Sequence, residues 1–124
     1  MIFVTADSCR ERLEKLTQFL VSEFPGSTIY QHADLSHVPH DALNNKVDAV
    51  FLEAEIEKAN SLDFVTMLHR QKSDLQVFII ARNDDFREKA VEAGADGYFV
   101  MPDSEQQLLE TIKLGKTRRM CYDY

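Results

Sequence analysis

The residues best suited to chemistry are acids that directly follow apolar runs of the sequence. Asp7 follows the first such run, and Glu53 follows a longer run near the middle of the chain. Carboxylate oxygens, together with a backbone carbonyl such as that of Glu55, are ligands that Mg²⁺ accepts. The two later apolar runs end in Ala81 and Met101, which supply neither a base nor a nucleophile. The sequence therefore predicts at most a weak divalent-cation site, formed by Asp7 and Glu53.

Two histidines form a second, weaker candidate site. His37 and His40 stand three positions apart beside Asp41, a spacing that places side chains on one helical face and is compatible with metal ligation. Pro39 lies between them, and no cysteine is near. This composition favours ordinary surface histidines over a metal site.

Composition restricts the class of protein further. A chain of 124 residues with 44% hydrophobic residues fits one domain, and its net charge of −7 argues against direct nucleic-acid binding by that domain. No apolar run reaches the roughly 20 residues of a membrane span, and no signal peptide begins the chain, so a cytoplasmic location is expected. Cys9 and Cys121 lie near opposite ends, and we expect both to be reduced. Cys9 has no neighbouring base in the sequence and is predicted to be an inert thiol.

Strand-like apolar runs alternate with stretches of helical period along the whole chain. The helical stretches repeat apolar residues every three or four positions, as Leu13, Leu16 and Leu20 do in the first. The run ending at Glu53 is almost continuously apolar, which is typical of a parallel strand buried on both faces. The pattern predicts five strand–helix pairs, with strands at positions 2–5, 28–30, 48–52, 77–80 and 98–100.

Helix termini are also indicated by local residue types. Ser8 and Glu11 have the spacing of a capping box at the start of the first helix. Asn83 and the acids after it suit the start of the fourth helix, and Gly94 suits its end. Asp103 is expected to cap the last helix.

Short connections between alternating strands and helices predict a particular α/β architecture. They require right-handed parallel crossovers, so we expect a doubly wound, flavodoxin-like parallel sheet of order 2-1-3-4-5 with helices on both faces. Residues 1–117 would form this domain, and residues 118–124 would be a C-terminal tail or the start of a linker to an output domain. Ligands of such sheets bind at the carboxyl ends of strands 1 and 3, where Asp7 and Glu53 are predicted to lie.

Two stretches of the chain resemble receiver domains of bacterial response regulators, the CheY-like superfamily. The run Asp-Ala-Val-Phe-Leu-Glu at 48–53 resembles the strand that presents the phospho-accepting aspartate in that family. The run Ala-Gly-Ala-Asp-Gly-Tyr-Phe-Val-Met-Pro at 93–102 is similar to its Gly-Ala-x-x-Tyr segment followed by Lys-Pro. The separations of 28 positions from Glu53 to Ala81 and 13 from Ala81 to Gly94 are similar to those of receivers of LytTR-type transcriptional regulators.

The resemblance breaks at the positions that carry the family's chemistry. Of the two acids that hold Mg²⁺ in the family, only Asp7 is present, and Ala6 replaces the other. Glu53 replaces the phospho-accepting aspartate, and Ala81 replaces the hydroxyl residue that binds the phosphoryl group. Met101 replaces the lysine that precedes the proline of the motif. Glu53 either mimics the phosphorylated aspartate or occupies a disused site.

Two further positions match the family pattern. Pro102 follows the lysine position, and Tyr98 corresponds to the family's switch aromatic. Because Ala81 leaves space where a larger hydroxyl residue would be, Tyr98 is expected either to rest permanently inward or to be an ordinary strand-end aromatic.

The function predicted from these features is that of an atypical receiver, a pseudo-receiver without enzymatic activity or an obligatory cofactor. It would signal by phosphorylation-independent dimerisation or by docking to a protein partner or output domain. The process expected for it is transcription control. The resemblance implies the fourth helix, fifth strand and fifth helix as the dimerisation face. The basic residues Lys113, Lys116, Arg118 and Arg119 either complement the last helix dipole or begin a linker.

Two alternatives stay open at this point. A flavodoxin-like protein that binds a nucleotide or flavin would have the same fold, but its phosphate loop after strand 1 would carry glycine, and the loop at 6–10 carries Asp7 and no glycine. An unusual receiver that is still phosphorylated or metal-bound at Glu53 is the other alternative.

Overall fold

The strands and helices alternate as the apolar pattern predicts. A computed structural model of the chain describes residues 1–44, 46–54, 56, 61–101 and 103–121, with residues 44, 61 and 115–121 described as backbone only. The strands are β1 (Ile2–Ala6), β2 (Thr28–His32), β3 (Ala49–Glu53), β4 (Val77–Ala81) and β5 (Gly97–Val100). The helices are α1 (Arg10–Glu23), α2 (Val38–Asn44), α3 (Ser61–Gln71), α4 (Arg87–Ala93) and α5 (Glu105–Cys121). Helix α5 thus continues past the boundary predicted at residue 117.

The five strands form one parallel sheet in the order β2-β1-β3-β4-β5, which confirms the predicted flavodoxin-like fold. Ala6 is paired with Leu52, one residue before the end of β3, so the residues that follow β1 and β3 emerge side by side. The strand order reverses between these two strands. This is the place where such sheets bind their ligands.

Helices cover both faces of the sheet, and successive residues of each strand alternate between them. Val4 and Val50 face α2, α3 and α4, whereas Phe3 and Phe51 face α1 and α5. Every residue of β3 and β4 is buried. Burial on both faces explains why these strands are continuously apolar in sequence.

A row of phenylalanine rings crosses the sheet on the side of α1 and α5. It runs from Phe24 through Phe3, Phe51 and Phe78 to Phe99, with neighbouring ring centroids 5.5 to 5.8 Å apart. Edge-to-face and tilted pairs at this distance contribute about 0.5–1.5 kcal/mol each beyond their burial. The row therefore connects β1, β3, β4 and β5 through one continuous layer of packed rings.

Gly97 is placed where the row leaves no room for a side chain. A Cβ atom there would lie 2.7 Å from the Phe99 ring and 3.0 Å from the Phe78 ring. We therefore expect Gly97→Ala to lower the free energy of unfolding by about 2 kcal/mol through overpacking, measured by urea denaturation. In a Phe99→Leu background the same change should cost less, and equal costs in both backgrounds would contradict the contact.

Three predicted helix starts differ from the observed ones. Helix α1 has Cys9 as its N-cap with no side-chain capping bond, so the capping box of Ser8 and Glu11 is wrong. The Cys9 N–H group donates instead to the Asp7 carboxylate. Helix α4 begins only at Arg87, after a turn at Asn83. Helix α5 begins at Glu105, and the carbonyl that accepts a hydrogen bond from its first turn is that of Ser104, not that of Asp103.

The predicted end of α4 is confirmed. Gly94 closes this helix in the left-handed conformation, with a φ of 94°.

Candidate functional site

The first acidic residue lies directly after β1. Asp7 donates its N–H group to the carbonyl of His32, the last residue of β2, at 3.1 Å, which carries the strand pairing one residue further. Its carboxylate is turned inward and the residue is only 6% exposed. Ala6, the position of the missing acid, is buried and ends β1. A carboxylate so placed must be compensated by donors or by a cation.

Arg12 supplies that compensation. Its Nε donates to Asp7 Oδ2 at 3.0 Å and its Nη2 donates to Asp7 Oδ1 at 2.9 Å, so the guanidinium holds both carboxylate oxygens. Cys9 N–H adds a third hydrogen bond to Oδ1 at 2.8 Å. The hydrogen bond to Asp7 raises the pKa of Arg12, and the nearby negative charge of Glu53 acts in the same direction. The site therefore contains its own fixed cation.

The local sequence explains why Arg12 reaches Asp7. Helix α1 begins at Arg10, so Arg12 lies in its first turn. Side chains of an α-helix tilt toward its N-terminus, which directs the guanidinium back over the end of β1. Arg12 was not predicted from the sequence, because it lies beyond the strand end and belongs to no motif of the family resemblance. The available signal was an arginine five positions after the acid, at the predicted start of a helix.

Glu53 ends β3 and is buried, with 5% of its surface exposed. Its side chain lines a partly open cavity of about 300 Å³ at the carboxyl edge of the sheet. Other lining residues are Ala54, Ala81, Arg82, Asn83, Asp85 and Phe86. Ala81, at the position of the family's hydroxyl residue, contributes only a methyl group to this cavity.

Tyr98 is turned inward and is 8% exposed. Its hydroxyl donates to the carbonyl of Asn83 at 2.6 Å and accepts a weaker bond from the Phe86 N–H at 3.4 Å, while the Arg87 guanidinium lies 4.8 Å from the ring centroid. Burial raises the pKa of the Tyr98 phenol, which keeps the hydroxyl a neutral donor. The hydroxyl thus holds the loop between β4 and α4, and the ring belongs to the same buried cluster as Ala81.

Met101, at the position where the family resemblance implies a lysine, is part of the apolar core. Its N–H group donates to the Ala81 carbonyl at 3.0 Å, and its half-buried side chain packs against the phenylalanine layer. Arg82, beside the Glu53 cavity, was also missed by the sequence reasoning.

The residues at Asp7 do not fit a divalent cation. Both carboxylate oxygens accept hydrogen bonds from a guanidinium, and the neighbouring position is Ala6. Among the described residues, no group of three or more His, Cys, Asp and Glu side chains is arranged to hold a metal ion. In the histidine-rich segment, Asp41 contacts His32 Nε2 at 2.7 Å.

Some residues proposed from the sequence cannot be placed. Glu55, Pro102 and residues 122–124 lie outside the described residues, as do the side chains of the basic cluster beyond Lys113. Cys9 is a free, partly buried thiol. Within the described part of the chain, no helix is long and apolar enough to cross a membrane.

Comparison with solved structures identifies the class to which this fold corresponds. The chain superposes on a CheY-like response regulator receiver domain protein from Methanospirillum hungatei with a TM-score of 0.82 and 17% identity, covering 98% of this chain and 97% of the other. A receiver domain of a DNA-binding response regulator from Colwellia psychrerythraea gives 0.81 and 21%, covering 92% and 96%. The chain has the fold of response regulator receiver domains, as the sequence motifs predict.

Sequence comparison adds one relative. The sensory transduction protein LytT of Bacillus anthracis is 24% identical over 79 residues, which are 64% of this chain. The chain spans about a third of that protein's length, since the match covers 32% of it. The regulator DrrB of Thermotoga maritima, an OmpR/PhoB homologue, is similarly longer: the chain superposes on 53% of it with a TM-score of 0.78 and 18% identity, over 95% of this chain. No family model matches the sequence.

Proposed function

We propose that this chain is a response regulator receiver domain that signals without aspartyl phosphorylation, as a non-enzymatic regulatory module. The observation that carries the proposal is the hydrogen-bonded pairing of Arg12 with both carboxylate oxygens of Asp7. The cation that compensates the acidic pocket is part of the chain. The charge of Asp7 is therefore balanced within the chain, and we propose that no metal is needed for the fold or the signalling of the domain.

The positions that the resemblance assigns to phosphoryl transfer lack the groups needed for it. A transferring phosphoryl group is stabilised by a divalent cation and by cationic or hydroxyl donors aimed at its oxygens. Ala81 offers no donor, and Met101 lies in the apolar layer. Glu53 also carries its carboxylate one methylene farther from the backbone than aspartate would, and a misplacement of about 1 Å can cost roughly a hundredfold in rate.

The position of Tyr98 supports a signalling state that does not depend on a switch. Its hydroxyl is held by the Asn83 carbonyl, a hydrogen bond made within the chain itself. We propose that this fixes the surface formed by α4, β5 and α5 in one conformation for dimerisation or partner docking. Exposed apolar side chains on that surface, Val91 at 69% and Leu114 at 53%, are consistent with a contact there.

The matched proteins suggest where the signal goes. LytT and DrrB are both longer than the segment that resembles this chain. We propose that the domain acts on an output domain or a separate protein partner in transcription control, and that it does not itself bind nucleic acid. A nucleotide- or flavin-binding role is disfavoured because the buried carboxylate of Asp7 lies where such proteins place phosphate.

Intact-mass analysis tests the proposal directly. The full chain is incubated with acetyl phosphate, with and without Mg²⁺, beside a receiver known to accept phosphate from this donor. We expect the mass of this chain to stay unchanged under both conditions. A stoichiometric gain of one phosphoryl group located at Glu53 would overturn the proposal and identify an unusual phosphoacceptor instead.

A further inference from the structure

A second cavity lies on the side of the sheet covered by α1 and α5. It has a volume of about 320 Å³ and opens at the carboxyl edge. Its floor is apolar and consists of Leu16 and Phe19 from α1, Ile80 from β4 and Met101 after β5. Cavities of this size that combine an apolar lining with a few polar groups are the usual binding sites of small molecules.

The rim of this cavity has the opposite charge from the protein as a whole. Arg12, Lys15 and Arg82 contribute three positive charges, and Glu105 contributes one negative charge. The chain carries a net charge of −7. The charge of Arg12 is already balanced by Asp7, so Lys15 and Arg82 against Glu105 leave an excess of one positive charge, which favours an anionic ligand.

The rim cations have donors available for such a ligand. A guanidinium has five N–H donors, and Arg12 uses two of them on Asp7. Arg82 is exposed and has no hydrogen bond or ion pair among the described residues. In the part of the chain that the structure describes, the one ion pair of Lys15 is an exposed contact of 3.5 Å with Glu11. A carboxylate can therefore be bound without breaking a buried ion pair.

We propose that this cavity binds a small anionic amphiphile, a carboxylate with a compact apolar body. The body would lie against Leu16, Phe19 and Met101, and the carboxylate would face Arg82 and the free N–H groups of Arg12. Because Arg12 also holds Asp7, binding of a ligand in the cavity would perturb the surroundings of Asp7. The binding itself does not depend on whether the domain is phosphorylated.

The test is a ¹H–¹⁵N NMR titration of the full chain with octanoate, 1-octanol and octylammonium, which share one apolar body and differ in head group. Octanoate is expected to bind saturably, about tenfold more tightly than 1-octanol, because charged hydrogen bonds contribute more than neutral ones. Shifted amides should lie in α1 and at the ends of β4 and β5, and should include Cys9. Octylammonium should not bind at this site.

Amino-acid substitutions test the charged rim and the apolar lining of the cavity separately. Arg82→Ala should weaken octanoate binding about fivefold and leave 1-octanol unaffected. Leu16→Trp should fill the cavity and abolish both. Lys89→Ala, which removes an exposed cation of α4 away from the cavity, should change neither.

Several results would overturn the proposal. These are the absence of saturable octanoate binding by the folded protein, equal affinities for octanoate and octylammonium, and unchanged octanoate affinity in Arg82→Ala. Since Arg82 is exposed, that variant is expected to fold even where Leu16→Trp does not.

Discussion

Restoring the four altered positions is expected to convert this chain into a phosphoacceptor. The variant Ala6→Asp, Glu53→Asp, Ala81→Ser, Met101→Lys should gain one phosphoryl group from acetyl phosphate in Mg²⁺, at least about a hundredfold faster than the parent. The fold already places positions 6, 7 and 53 at adjoining strand ends. A second carboxylate would allow Mg²⁺ to compete with Arg12 for Asp7, and the hydroxyl and ammonium groups would supply the missing donors.

Matched controls make this result specific. The same variant with Glu53→Asn in place of Glu53→Asp should gain no mass, because an amide cannot accept the phosphoryl group. Adding Arg12→Ala to the restored variant should increase the labelling rate further by freeing Asp7. A folded restored variant that binds Mg²⁺ and still gains no phosphoryl group would show that the loss of activity does not reside in these side chains.

Removing the guanidinium of Arg12 is expected to lower the free energy of unfolding. Arg12→Met keeps an aliphatic stem but leaves the Asp7 carboxylate, 6% exposed, beside Glu53 without its cation. Breaking a fully buried pair costs about 3–5 kcal/mol, and because the Arg12 side chain is 32% exposed we expect a loss of about 2 kcal/mol. Urea denaturation at neutral pH measures this change.

The chain offers a matched control and a coupling test for Arg12. Arg10→Met, in the same helical turn, removes a guanidinium that is 91% exposed and should change stability by less than about 0.5 kcal/mol. In an Asp7→Asn background, Arg12→Met should cost much less, because the buried charge is gone. Equal costs of Arg12→Met in the two backgrounds would show that the pairing with Asp7 does not stabilise the fold.

Large parts of the fold follow from local sequence patterns. The run of β3 is continuously apolar because this strand is buried on both faces. Leu13 and Leu20 form a stripe in α1 because this helix is buried on one face only. Short connections then restrict the strand order. The start of α1 was less predictable, because the Asp7 carboxylate accepts the hydrogen bond of the Cys9 N–H group and no side chain caps the helix.

The sequence by itself determined the elements, their parallel order and the identity of the residues at the strand ends, because these depend on local periodicity and on chain connectivity. It also determined which family groups are missing, since a residue type is read directly at each position. Only the tertiary structure decided what replaces them. The pairing of Arg12 with Asp7, the inward position of Tyr98 and the cavity beside Met101 depend on side-chain directions and on contacts between distant elements. Such contacts are set by packing, and packing brings together residues that no sequence spacing relates.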